Sequence, residues 1–214
     1  MIVVKVGGAV AGVAELGRLD NAVLVHGAGP QISAAMEQAG LTVSFVRGRR
    51  VTDETALGIV REALLEVNRK LCGLLGDRAV GLVGDEIGLC ATRVPELGHV
   101  GVPEPSRPQA VLDLLAAGRI PVVAPLAVGP LNVNADEAAA ALAVGLGAER
   151  IVFVSDVAGV LHQESVLPRI EADEADRLLD DGAFEGGIVP KLQAAVQAAR
   201  LGVPAEIGLT EVVA

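Results

Sequence analysis

Tryptophan and tyrosine are missing from the 214 residues, and phenylalanine occurs only three times. With 51% apolar residues but almost no aromatic volume, any core must be built from Val, Leu, Ile and Ala. Such a palette suits buried parallel strands covered by Ala/Leu-rich helices. Long hydrophobic runs are lacking too: Gly, Pro or a charge interrupts each one before it reaches membrane-spanning length. The opening MIVVKVGG has neither the basic start nor the long apolar stretch of a signal peptide. The expectation is a soluble, cytoplasmic protein.

Basic charge is in deficit. Seventeen Lys and Arg stand against 27 Asp and Glu, a formal net of −10. Nucleic acid, an anionic membrane surface and an acidic protein partner all need a basic footprint, so none is expected as the main partner. An anionic ligand must instead be met by a few locally placed cations. The two cysteines, Cys72 and Cys90, have no CxxC spacing and read as reduced core thiols. His26, His99 and His162 share no ligand spacing, which argues against a zinc site.

What is present alternates. Apolar runs at 2–6, 22–26, 120–124, 151–155 and 205–208 read as strands. Between them lie helical patterns at 31–39, 54–75, 111–117, 136–146, 172–181 and 191–201. In the 54–75 segment Leu57, Val60, Leu64, Val67 and Leu71 recur at three- and four-residue steps, with Thr52-Asp53 as its cap. From 79 to about 102 short strands with Gly turns suggest hairpins along one edge. The pattern predicts a three-layer α/β/α sandwich on a mainly parallel sheet, organised as a single domain over 1–214.

In such a sheet ligands bind at the carboxyl ends of the strands. Here those ends carry Gly7-Gly8, Gly27-Ala28-Gly29, and Asp156 followed by Gly159. Glycines let backbone N–H groups approach an anion, although one Gly pair after a strand is more often only a tight turn. No GxxxxGK[ST] and no GxGxxG occurs, so the P-loop and dinucleotide-binding fingerprints are lacking. Lys5 sits inside an otherwise apolar strand. An edge strand carries such a lysine at no cost, whereas a central strand must offer it an anion. Asn132, Asn134 and Asp136 enter a helix, where capping explains two of the three. Lys191 alone reads as a solvated lysine.

Together these residues resemble the amino-acid kinase superfamily and, within it, the acetylglutamate kinases. The similar words are VVKVGGA (3–9), VHGAGP (25–30), RVTDETA (50–56), GHVG (98–101), IPVVAP (120–125), LNVNADEAAAAL (131–142), VFVSDVAGVL (152–161) and GGIVPKLQAA (186–195). The resemblance implies the amino-acid kinase fold, with an acceptor-binding lobe at about 1–150 and an ATP-binding lobe at about 151–214. It implies ATP-dependent phosphorylation of the side-chain carboxylate of N-acetyl-L-glutamate, with Mg2+ carried by the nucleotide and no protein metal ligands. Lys5 and Lys191 match the lysines that neutralise the transferring phosphoryl group, and Asp136 the aspartate that holds them. Gly8, Ala28 and Gly29 match the turns whose N–H groups surround that group and the acceptor carboxylate. Arg50 and Asn132 match residues that bind the acetylglutamate α-carboxylate. Asp156, Val157, Ala158, Gly159, Val160 and Leu161, with Ala183, Phe184 and Glu185, match the ATP-site lining.

Five features depart from the family pattern. Ala28 stands where a third glycine is usual, and its methyl is expected to face the phosphoryl path. The segment between Gly8 and Val23 is short, as is the loop before Asn132. The usual Gly-Thr final strand is absent. The lack of an N-terminal extension implies a homodimer without arginine feedback. Two alternatives remain open: a sister kinase acting on carrier-protein-linked aminoadipate or glutamate, and a non-catalytic ligand-binding homologue.

Overall fold

In the computed structural model residues 1–7, 13–154 and 157–214 are described. In chain order the elements begin with β1 (Ile2–Val6), α1 (Val13–Leu16), β2 (Ala22–His26), α2 (Gly29–Gln38), β3 (Phe45–Val46), β4 (Arg49–Arg50) and α3 (Glu54–Leu75). Next come β5 (Ala79–Val83), α4 (Gly84–Ile87), β6 (Ala91–Arg93), β7 (Val100–Pro103), α5 (Gln109–Ala116), β8 (Ile120–Ala124), β9 (Leu126–Ala127), β10 (Leu131–Val133) and α6 (Ala135–Leu146). There follow β11 (Arg150–Phe153), β12 (Leu161–His162), β13 (Ser165–Val166), β14 (Arg169–Glu171), α7 (Ala172–Asp180), α8 (Ile188–Arg200), β15 (Ala205–Ile207) and β16 (Thr210–Val213).

Eight strands form the main sheet in the order β14-β16-β15-β11-β1-β2-β8-β5. Every pairing in it is parallel except β15 with β16. The sandwich on a mainly parallel sheet is therefore as expected. The Gly-rich stretch after β5 forms an antiparallel β6–β7 hairpin as expected, but not along an edge of the main sheet. β5 itself closes the main sheet, while β6 and β7 join β10 and β9 in a separate four-stranded sheet.

Side chains alternate across a strand, and the alternation sorts the core into two layers. Val3, Val23, Val25 and Val123 pack with the Ala-rich faces of α6 and α8. Val4, Val6, Leu24 and Val122 pack on the other side with α2 and α3. With so few aromatics, small side chains allow the helices to sit close to the sheet; Ala138, Ala139, Ala143, Ala194, Ala195 and Ala198 are all buried. This arithmetic also aims Lys5. It lies two residues after Val3, so it shares the face covered by α6 and α8. Because β1 is held between β2 and β11, the ammonium emerges in the interior of the fold.

Caps set where the site helices begin. The Asp53 side chain accepts from Ala56 N–H at the start of α3. Asn134 accepts from the N–H groups of Asp136 and Glu137 at the start of α6. α1 has only four residues, in keeping with the short first crossover. Cys72 is half-buried, and Cys90 is exposed rather than a core thiol; both are free.

Candidate active site

The three charged groups singled out from distant parts of the chain meet. Lys5 Nζ lies 2.9 Å from Asp136 Oδ1, and Lys191 Nζ lies 3.4 Å from the same oxygen. All three residues are buried, at 7–8% exposure. Lys191 is buried, as its matched role implies and unlike the solvated lysine its own context suggests, because α8 starts three residues before it and its face packs on α6. Lys191 also stands 5.8 Å from the Phe153 ring centroid. Two ammonium groups converge on the Asp136 carboxylate. Cations gathered in a buried setting favour a bound anion.

A cavity lies on either side of this cluster. The first, about 190 Å3, is bounded by Lys5, Asp136, the turn Gly27-Ala28-Gly29, Arg50 and Asn132. It abuts the N-terminus of α2, where no side chain caps the helix and the backbone N–H groups favour negative charge. Arg50 is 6% exposed and has no acidic partner among the described residues. Its guanidinium donates to the Gly29 carbonyl (3.1 Å) and to Ser33 Oγ (2.9 Å), and lies 4.6 Å from the centroid of the Phe45 ring. Burial pushes the Arg50 pKa down, the direction expected of a cation not yet matched by an anion. Asn132 Nδ2 donates to Thr52 Oγ1 (2.9 Å), and that hydroxyl donates to the Arg50 carbonyl (2.8 Å). The β3–β4 hairpin over this cavity is tied down by Arg49, which forks onto Glu137 at 2.7 and 3.0 Å.

The second cavity, about 520 Å3, is bounded by Val157, Gly159, Leu161, Ala183, Phe184, Glu185, Gly187, Ile188 and Lys191. One end is apolar. The other is the N-terminus of α8, which no side chain caps, with Lys191 in its first turn. An apolar slot leading to backbone N–H groups and a lysine suits a flat ring system carrying phosphates.

Of the expected site residues, Lys5, Ala28, Gly29, Arg50, Asn132 and Asp136 border the first cavity. Val157, Gly159, Leu161, Ala183, Phe184, Glu185 and Lys191 border the second. Val160 is instead a core residue, and Ala158 is exposed and absent from the cavity lining. Gly8 and Asp156 lie outside the described residues. Ala28 borders the first cavity yet packs with the core under α2 and α3. Phe45 and Ser33 carry no signal in the sequence. Thr52, which the sequence marks only as part of the α3 cap, lies inside the RVTD word, the one signal of a further role.

His26 precedes the first cavity's turn and is fully buried. Asn68 Nδ2 lies 2.8 Å from the Val122 carbonyl and 3.1 Å from His26 Nε2. A carbonyl only accepts, so the amide nitrogen must face it and Nε2 must be an acceptor. The ring proton is therefore on Nδ1, facing the Gly27 carbonyl at 3.4 Å. Burial drops the His26 pKa from 6.5 to about 4. The unfolded chain then binds more protons between those values, so the His26 contribution to stability falls as pH drops from 6.5 to 4 and is flat beyond. The full loss is roughly 3 kcal/mol. Urea midpoints taken from pH 7 to 4 should show it, and His26→Gln should flatten the acid slope. An unchanged slope in that variant would remove His26 as its source.

The amino acid kinase family model matches residues 1–208. An acetylglutamate kinase of Saccharopolyspora erythraea is 42% identical over 85% of this chain, which spans 66% of that relative's length. One of Rubrobacter xylanophilus is 41% identical over 96% of this chain and 87% of its own. The crystal structure of smu.665 from Streptococcus mutans superposes with a TM-score of 0.85 at 27% identity, covering 99% of this chain and 98% of that one. With two cavities joined at a lysine–aspartate–lysine cluster, and these relatives spanning almost all of it, the chain belongs to the amino acid kinase family, on its acetylglutamate kinase branch.

Proposed function

We propose that the protein transfers the γ-phosphoryl group of ATP to the side-chain carboxylate of N-acetyl-L-glutamate, giving an acyl phosphate and ADP. The observation that carries this reading is the Lys5–Asp136–Lys191 cluster, which contributes a wall to each of two cavities. The acceptor occupies the first cavity, its α-carboxylate on Arg50 and Asn132. The nucleotide occupies the second, its phosphates at the start of α8. A carboxylate oxygen attacks the γ-phosphorus in line as the bond to the β–γ bridging oxygen breaks. The acceptor is already ionised at neutral pH, so no general base is needed. Catalysis then rests on positioning and charge neutralisation. In this reading Mg2+ enters on the nucleotide phosphates.

This reading divides the single domain into an acceptor lobe at about 1–150 and a nucleotide lobe at about 151–214. It places the protein in the cytoplasm as a homodimer; among the described residues no helix is long and apolar enough to cross a membrane. The net charge of −10 disfavours docking of an acidic carrier protein. Trapping the acyl phosphate with hydroxylamine tests the proposal, with acetylglutamate, acetylaminoadipate and glutamate as competing acceptors. Acetylglutamate should give the highest kcat/KM. A folded sample that binds ATP yet turns over none of the three would sink the enzymatic reading.

A further inference from the structure

The wall of the second cavity formed by residues 157–161 is fastened from behind by one hydroxyl that the reaction itself does not use. Thr210, the first residue of β16, is 1% exposed. Its Oγ1 accepts from Val160 N–H at 2.8 Å and donates to the Leu167 carbonyl at 2.6 Å. Leu167 N–H returns to the Val160 carbonyl at 2.9 Å. Leu209 N–H reaches the Ala158 carbonyl at 2.7 Å. The β15–β16 turn is thus laced to Ala158 and Val160, the two residues flanking Gly159 in the wall segment. The approach is close: a Cβ on Gly159 would meet Thr210 Oγ1 at 2.7 Å, and one on Gly208 would meet the Ala158 carbonyl at 2.4 Å.

A buried hydroxyl with its donor and acceptor both committed to backbone specifies where that backbone lies. Valine has nearly the same shape but leaves the Val160 N–H and the Leu167 carbonyl without their partner. Those groups regain partners only if the loop moves, and Val157, Gly159 and Leu161 move with it. We propose that Thr210 is a positioning residue for nucleotide binding, holding the 157–161 wall at the distance a nucleotide base requires. The inference rests on the second cavity being the nucleotide site.

The test is the kinetics of Thr210→Val, Thr210→Ser and Gly208→Ala beside the unaltered protein, with ATP and acetylglutamate varied separately. Thr210→Val should raise KM for ATP about tenfold while leaving KM for acetylglutamate within twofold; a tenfold change is about 1.4 kcal/mol. Thr210→Ser, which keeps both hydrogen bonds, should restore KM for ATP. Gly208→Ala presses on the same loop from the other side and should raise KM for ATP even if Thr210→Val fails to fold. Nucleotide KM unchanged in whichever of the Val and Ala variants folds, or raised equally for both substrates, overturns the inference. If the unaltered protein neither binds nor turns over ATP, it is the functional reading that has failed, and this inference with it.

Discussion

Lys191→Ala and Lys5→Ala should each lower kcat by roughly two orders of magnitude or more, with both variants still folded. The magnitude follows from charge: removing one preorganised donor to a developing anion costs about 2.7–4 kcal/mol in activation free energy. Folding should survive because of the shared carboxylate. When one lysine is removed, Asp136 keeps the other at 2.9 or 3.4 Å, so no buried charge is left unpaired. The double variant removes both partners, and breaking a buried pair in this way costs about 3–5 kcal/mol of stability. Steady-state rates with both substrates saturating, together with thermal melts of the three variants, separate the two effects. A folded single variant with unchanged kcat would exclude that lysine from the transferring phosphoryl group.

Much of this cluster could be read before the fold was known, and for uneven reasons. Lys5 was informative because a lysine in an all-aliphatic strand is expensive if that strand is central, and β1 is central. α3 was legible to the residue, since an Asp53 cap and a sustained apolar stripe across 22 residues leave little choice. The sequence pattern starts α8 at Lys191, whereas the helix begins at Ile188. The reason is Pro190, which usually punctuates a loop but is tolerated in a first turn, where N–H groups lack helical partners anyway. β9 and β10 have two and three residues, too few for a period-two pattern to register, so the second sheet went unseen. β16 is not legible because Gly208 reads as an ending, whereas at φ +56 it turns the chain back antiparallel. Hydroxyls such as Thr52 and Thr210 carry no periodicity at all. Their roles exist only once distant backbone is brought to them.

Arg50→Ala should raise KM for acetylglutamate by about a hundredfold, with KM for ATP essentially unchanged. Among the described residues no carboxylate neutralises this guanidinium. It meets only the Gly29 carbonyl, Ser33 Oγ, Met36 Sδ and the Phe45 face. These contacts orient a planar fork without cancelling its charge. A ligand carboxylate entering the first cavity therefore gains a charge-assisted hydrogen bond in a partly desolvated site, and losing such a contact costs about 2–5 kcal/mol. A hundredfold change corresponds to about 2.7 kcal/mol, within that range. Arg50→Lys keeps the charge but not the fork, so it should recover only part of the affinity. An acceptor analogue whose α-carboxylate is replaced by an amide decides whether the carboxylate is the partner. It should bind poorly to the unaltered protein and lose little further in Arg50→Ala. If the analogue and the free acid lose equally in that variant, Arg50 serves the shape of the cavity through Phe45 and Ser33 and not the charge of its ligand.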